Sequence, residues 1–174
     1  MDMSHVLVAS QVLLAVIFVV SAFSKLRSRT ALRSFAATLG MLPGPARLPA
    51  AAATAAAEVA AAATMMVFPP IGLAVSGMLL IAFSLWIAVS LRGGRREPCQ
   101  CFGASATPLG PVHLIRNGLL LLVVALGWAT LMFPGDPVTV AGLALAVPVG
   151  LAGAALLIIF DDIADLFMEI SGSS

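Results

Sequence analysis

Apolar residues gather in five long runs, Val6–Phe23, Leu48–Phe68, Ile71–Leu91, Val112–Phe133 and Val138–Phe160. Only two charged residues, Glu58 and Arg116, fall inside them. Each run is close to the roughly 20 residues that carry an α-helix across about 30 Å of hydrocarbon. The pattern predicts five spanning helices in one integral membrane domain, 1–174, with a loop at 92–111 and an acidic tail at 161–174. The first run lacks the basic leading segment of a secretory signal and is too long for a signal core, so it reads as a permanent span.

Two runs are unusual. The second holds AAAATAAAEVAAAAT, Ala50–Thr64; alanine barely favours insertion, so this helix needs its neighbours, and its small side chains let them approach. The fifth carries Gly142, Ala146, Gly150 and Ala154 at four-residue intervals. That stripe predicts close helix packing, and Pro148 within it predicts a kink.

Composition agrees with the pattern. Of 174 residues, 61% are hydrophobic and 10% charged, and mean hydropathy is +1.10. A soluble domain averages roughly 45–50% apolar and about 25% charged residues. With a net charge of +1 and no basic face or aromatic platform, nucleic acid is excluded as a partner. Membrane lipids are the expected surroundings, and the oligomeric state is not encoded legibly.

Charge placement says more than its sum. All nine Lys and Arg residues sit in or beside the first and third connections: Lys25, Arg27, Arg29, Arg33 and Arg47, then Arg92, Arg95, Arg96 and Arg116. The positive-inside rule places the N-terminus outside an inner or plasma membrane and both basic loops, with the C-terminus, in the cytoplasm. Asp161, Asp162, Asp165 and Glu169 then form an acidic tail at the interface, readable as a short continuing helix with Ile163, Leu166, Phe167 and Ile170 on another face.

Candidate chemistry centres on REPCQCFGAS, Arg96–Ser105, which holds both cysteines, Cys99 and Cys101. A Cys-x-Cys pair closes into a small strained ring, suited to exchange rather than bracing, and neighbouring arginines favour the thiolate. Inert loop thiols are the plain alternative. A structural zinc takes four ligands, and His113 is the only histidine on that side, so no metal is assigned. Polar residues gather beside the loop: Glu58 well inside the second span, Arg116 and Asn117 one turn into the fourth, and Lys25 closing the first. A charge in the membrane is a functional candidate by default. For Lys25 and Arg116 the ordinary fate is snorkelling to the headgroups; for Glu58 the choices are a structural pair with Arg116 or a proton or substrate site.

The sequence also resembles a known family. SAFSKL (Ser21–Leu26), a glutamate in the second span, a CxCFG loop (Cys99–Gly103) and LIRNGLLL (Leu114–Leu121) resemble the methylamine utilisation protein MauE family, related to DoxX-like membrane proteins. The likeness covers about residues 5–133. It implies an all-α, four-helix transmembrane bundle of the MauE/DoxX-like type, to which this chain adds a fifth C-terminal helix. It implies a redox-associated role, a thioredoxin-like or other thiol partner, and maturation of a disulfide-rich enzyme subunit. Carried onto this chain, Cys99 and Cys101 become the catalytic candidates, with Lys25, Glu58, His113, Arg116 and Asn117 as the polar pocket around them.

The leading expectation is a thiol–disulfide redox protein that passes electrons to a thiol protein or a lipid quinone, no other cofactor being indicated. The rivals are a non-enzymatic anchor for a redox enzyme, and a transporter or enzyme acting on a lipophilic substrate in the bundle. The resemblance favours thiols facing outward and the arginines place them inward. The charge rule predicts that an impermeant maleimide added to intact cells leaves Cys99 and Cys101 unlabelled until the membrane is permeabilised.

Overall fold

In the computed structural model the five apolar runs become five long helices, and a sixth, short one appears between the first two. Residues 3–93, 111–133, 135–137 and 139–172 are described, with 111 and 161–172 by backbone alone. The helices are α1 (Met3–Leu26), α2 (Arg29–Thr38), α3 (Gly44–Val67), α4 (Pro69–Arg92), α5 (Pro111–Met132) and α6 (Val140–Gly172). All but α2 are long and apolar enough to cross a membrane. The chain is a polytopic all-α membrane protein.

Four spans form a ring in which α1 packs on α3, α3 on α4, α4 on α5 and α5 on α1. The ring encloses a core of Leu14, Ile17, Phe18, Met65, Leu73, Leu80 and Leu120. The fifth span, α6, lies outside it, against α1. Lipid tails are as apolar as leucine, so helices associate here by close packing. The stripe on α6 shows how: a Cβ on Gly142 would run into the His5 ring, and one on Gly150 would lie 2.7 Å from the Ala9 carbonyl oxygen. Ala146 and Ala154 are buried in the same seam. This is the packing role expected of those residues. Through Pro148, α6 remains one helix of 33 residues, about 50 Å long, so the tail continues as helix past the span.

A second close approach follows the α3–α4 turn. Pro69 and Pro70 start α4, where a missing N–H costs nothing, and a Cβ on Gly72 would lie 2.5 Å from the Met65 Cα.

The first connection departs from expectation. It was expected as a basic loop, yet α2 is an amphipathic helix capped by Ser28, whose Oγ accepts from the Ala31 N–H at 3.0 Å. Its inner face buries Phe35 and Ala36, with Leu39 just beyond, against Ala51 of α3 and beside Phe83 and Trp86 of α4. Arg29 and Arg33 face outward. Arg47 ties the following turn to α3 by donating to the carbonyls of Leu42 (2.9 Å) and Gly40 (3.1 Å).

Overpacking a tight seam costs about 1–3 kcal/mol. Gly72→Val and Gly150→Val are each expected to lower the thermal midpoint of the detergent-solubilised protein. Gly118→Val, where nothing lies within 4 Å, is the control expected to leave it unchanged.

Candidate functional site

Lys25 is the penultimate residue of α1, whereas Glu58 lies fourteen residues into α3, about 21 Å from its start. That the two touch means α1 stops short inside the bundle while α3 runs on past it. The space above the end of α1 is filled by α2. The expected snorkelling of Lys25 does not occur: it is 1% exposed and turns inward to Glu58.

There it makes a two-pronged ion pair. Lys25 Nζ donates to Glu58 Oε1 at 2.8 Å and to Oε2 at 3.0 Å. Ser21, one turn back on α1, donates from Oγ to Glu58 Oε1 at 2.9 Å and accepts from Lys25 Nζ at 2.7 Å. Phe35 of α2 presents its ring 4.8 Å from the ammonium, and Phe83 of α4 stands at 5.9 Å, within cation–π range. Glu58 is fully buried. The ion-pair partner proves to be Lys25, where the sequence reading had offered Arg116.

Arg116 is nonetheless at the site and buried, so it does not snorkel either. His113, Arg116, Asn117 and Leu120 recur at helical spacing and are all buried, the first three at 2–3% exposure; α5 thus turns one polar face inward near its start. Between this face and the ion pair lies a small cavity with Ser21, Glu58, Arg116 and Asn117 on its polar side and Phe18, Leu80, Phe83 and Leu120 among its apolar walls. Measured by the positions a water's centre can take, it holds about 20 Å³, enough for one or two waters. A quinone ring does not fit without displacing side chains.

The structure thus brings together Lys25, Glu58, His113, Arg116 and Asn117 as one end of the bundle. Cys99 and Cys101 lie outside the described residues; their loop leaves α4 after Arg92 and re-enters at Pro111, the end where these polar groups gather. Among the described residues no cluster of metal-ligating side chains is present.

The family model for methylamine utilisation protein MauE matches residues 3–131. The chain belongs to the MauE family. No curated protein and no solved structure matches it significantly. The MauE match spans α1 through α5, taking in both cysteines and every residue of the polar site, and stops before α6. Within that MauE core, sequence reasoning missed Phe35 and Phe83, which flank the ammonium, and passed over Ser21 inside SAFSKL. Phe35 had a signal: Ser28 as a cap, followed by Leu32, Phe35, Ala36 and Leu39 at helical spacing.

Removing one partner of a buried pair strands the other charge, at about 3–5 kcal/mol, whereas replacing both by apolar residues is close to neutral. Lys25→Met is therefore expected to lower the unfolding midpoint strongly, and adding Glu58→Leu is expected to restore most of it. Equal stability of Lys25→Met and wild type in the same melt contradicts the pair.

Proposed function

We propose that this MauE-family membrane protein is a thiol–disulfide redox protein serving methylamine utilisation, with Cys99 and Cys101 as its exchanging thiols. The observation that carries the reading is the convergence of two helix ends, α4 and α5, on a buried polar site, with the Cys-x-Cys segment as the chain between them. One cysteine thiolate attacks a sulfur of a partner disulfide, and the other partner sulfur leaves as a thiolate. The second cysteine then attacks the mixed disulfide, releasing the partner as a dithiol and leaving Cys99 and Cys101 joined. A thioredoxin-like dithiol then reduces the Cys99–Cys101 disulfide, restoring the two electrons that went to the partner. Run in the opposite direction, the Cys99–Cys101 disulfide takes two electrons from a partner dithiol, and the reduced pair passes them, with two protons, to a thioredoxin-like disulfide or to a lipid quinone, which becomes a quinol.

Cationic surroundings raise the thiolate fraction on which exchange depends, and the basic end of the bundle supplies Arg27, Arg29, Arg33, Arg92 and Arg116. The charge distribution supports a cytoplasmic position for this end. The water-sized cavity weighs against a lipophilic substrate held beside Glu58, since such sites usually span about 300–1,000 Å³.

Of the single variants Cys99→Ser and Cys101→Ser, the one that keeps the attacking thiol is expected to accumulate a covalent complex with the partner on non-reducing gels. The double variant is expected to form none and to abolish function. Full function in the double variant, with a normal non-covalent complex, favours a scaffold instead.

A further inference from the structure

We propose that Glu58 is an exchangeable proton site, reached from the loop end of the bundle along the inward face of α5 and through the cavity beside it.

Three observations bear on this. The carboxylate is fully buried, and a buried ion pair contributes little net stability over well-packed apolar residues, so packing alone is a poor reason to keep it. The bundle leaves a space against this carboxylate, with Ser21, Arg116 and Asn117 also on its wall. That space exceeds the roughly 10–15 Å³ a water needs, and Ser21, Glu58, Arg116 and Asn117 supply the two to four polar partners that hold one.

The polar lining runs one way only. From Asn117 it continues to His113, one turn, about 6 Å, closer to the start of α5. In the other direction Ile17, Leu80, Leu120 and Val124 close the bundle as part of its apolar core. The arrangement is a branch of polar groups that leads toward the loop side and ends at an apolar layer on the other.

The groups facing Glu58 suit it to the task. Lys25 on α1 stays hydrogen-bonded to the carboxyl and is flanked by Phe35 of α2 and Phe83 of α4. Arg116 and Asn117 come from α5, with His113 one turn further along the same face, and α4 contributes the apolar Leu80, Phe83 and Ile87. One proton arriving through the water converts the carboxylate to the acid, and the ammonium is then held by the Ser21 hydroxyl and carbonyl oxygens and the Phe35 and Phe83 rings. Such a site lends and takes back a proton beside a reaction at the loop. In thiol–disulfide exchange that proton is the one a thiol loses on becoming a thiolate, and this last clause alone rests on the thiol reading.

Infrared difference spectra of wild-type protein in lipid membranes test it. A carboxylic acid C=O band is expected to grow as pH falls, to vanish in Glu58→Gln and to shift in Glu58→Asp. The band is expected to move rapidly when the membranes are transferred to D₂O. Asn117→Leu, which plugs the cavity, is expected to slow that exchange about tenfold or more, while Thr130→Val, beyond the apolar layer, leaves it unchanged. The Cys99→Ser, Cys101→Ser double variant is expected to match wild type, so a failure of the thiol chemistry reads out separately. The absence of a Glu58-dependent band, a band that does not exchange, or equal exchange in Asn117→Leu and wild type overturns the proposal.

Discussion

A carboxylate buried in a membrane bundle must have a partner, and meeting that requirement organises one end of this protein. Glu58 cannot be left alone in a low-dielectric core, and the partner it takes is Lys25. To bring a residue at the end of α1 to one in the middle of α3, the two helices must be staggered by several turns. The stagger leaves a recess, α2 fills it, and Phe35 closes over the ammonium. A helix that a hydropathy profile does not see is therefore a consequence of one ion pair and the level at which it forms.

The rest of the bundle is held by a different logic. With no hydrophobic gain from moving a side chain out of lipid into protein, helices gain by approaching closely. Glycine and alanine do this work where backbones nearly touch: Gly72 against Met65, and Gly142 and Gly150 against α1. The alanine-rich α3 is also the helix with the lowest hydropathy among the spans. It inserts weakly by itself and packs well with others, which suits the helix that carries Glu58 between α1 and α4.

These two logics differ in how they show in a sequence. Spans are a one-dimensional property, so Val6–Phe23 and its counterparts lie within or nearly match the observed helices, and the small-residue stripe of α6 announced its seam. The fate of Lys25 is three-dimensional. Snorkelling assumes that a helix end lies at the membrane surface, and nothing in SKLRSR says that α1 ends deeper than its neighbours. The same gap made Arg116 look like the natural partner of Glu58. The polar set itself was legible, because charged and amide residues inside apolar runs are conspicuous. The phenylalanines flanking Lys25 were not, because a phenylalanine beside a cation looks like any other core residue until the cation is placed. The cysteines rest on motif and family alone.

The size of the cavity limits what can reach Glu58. A space of about 20 Å³ admits water and protons and nothing that carries a carbon skeleton. A larger molecule is not accommodated beside Glu58; the rim of the bundle on that side is where α4 and α5 end and where the chain between them carries its two thiols. The MauE match includes this rim and the buried site and ends before α6. The fifth span, packed on the outer side of α1, contributes no residue to the cavity lining. Among the described residues the ion pair, the cavity and the polar face of α5 are built by the four-span ring alone.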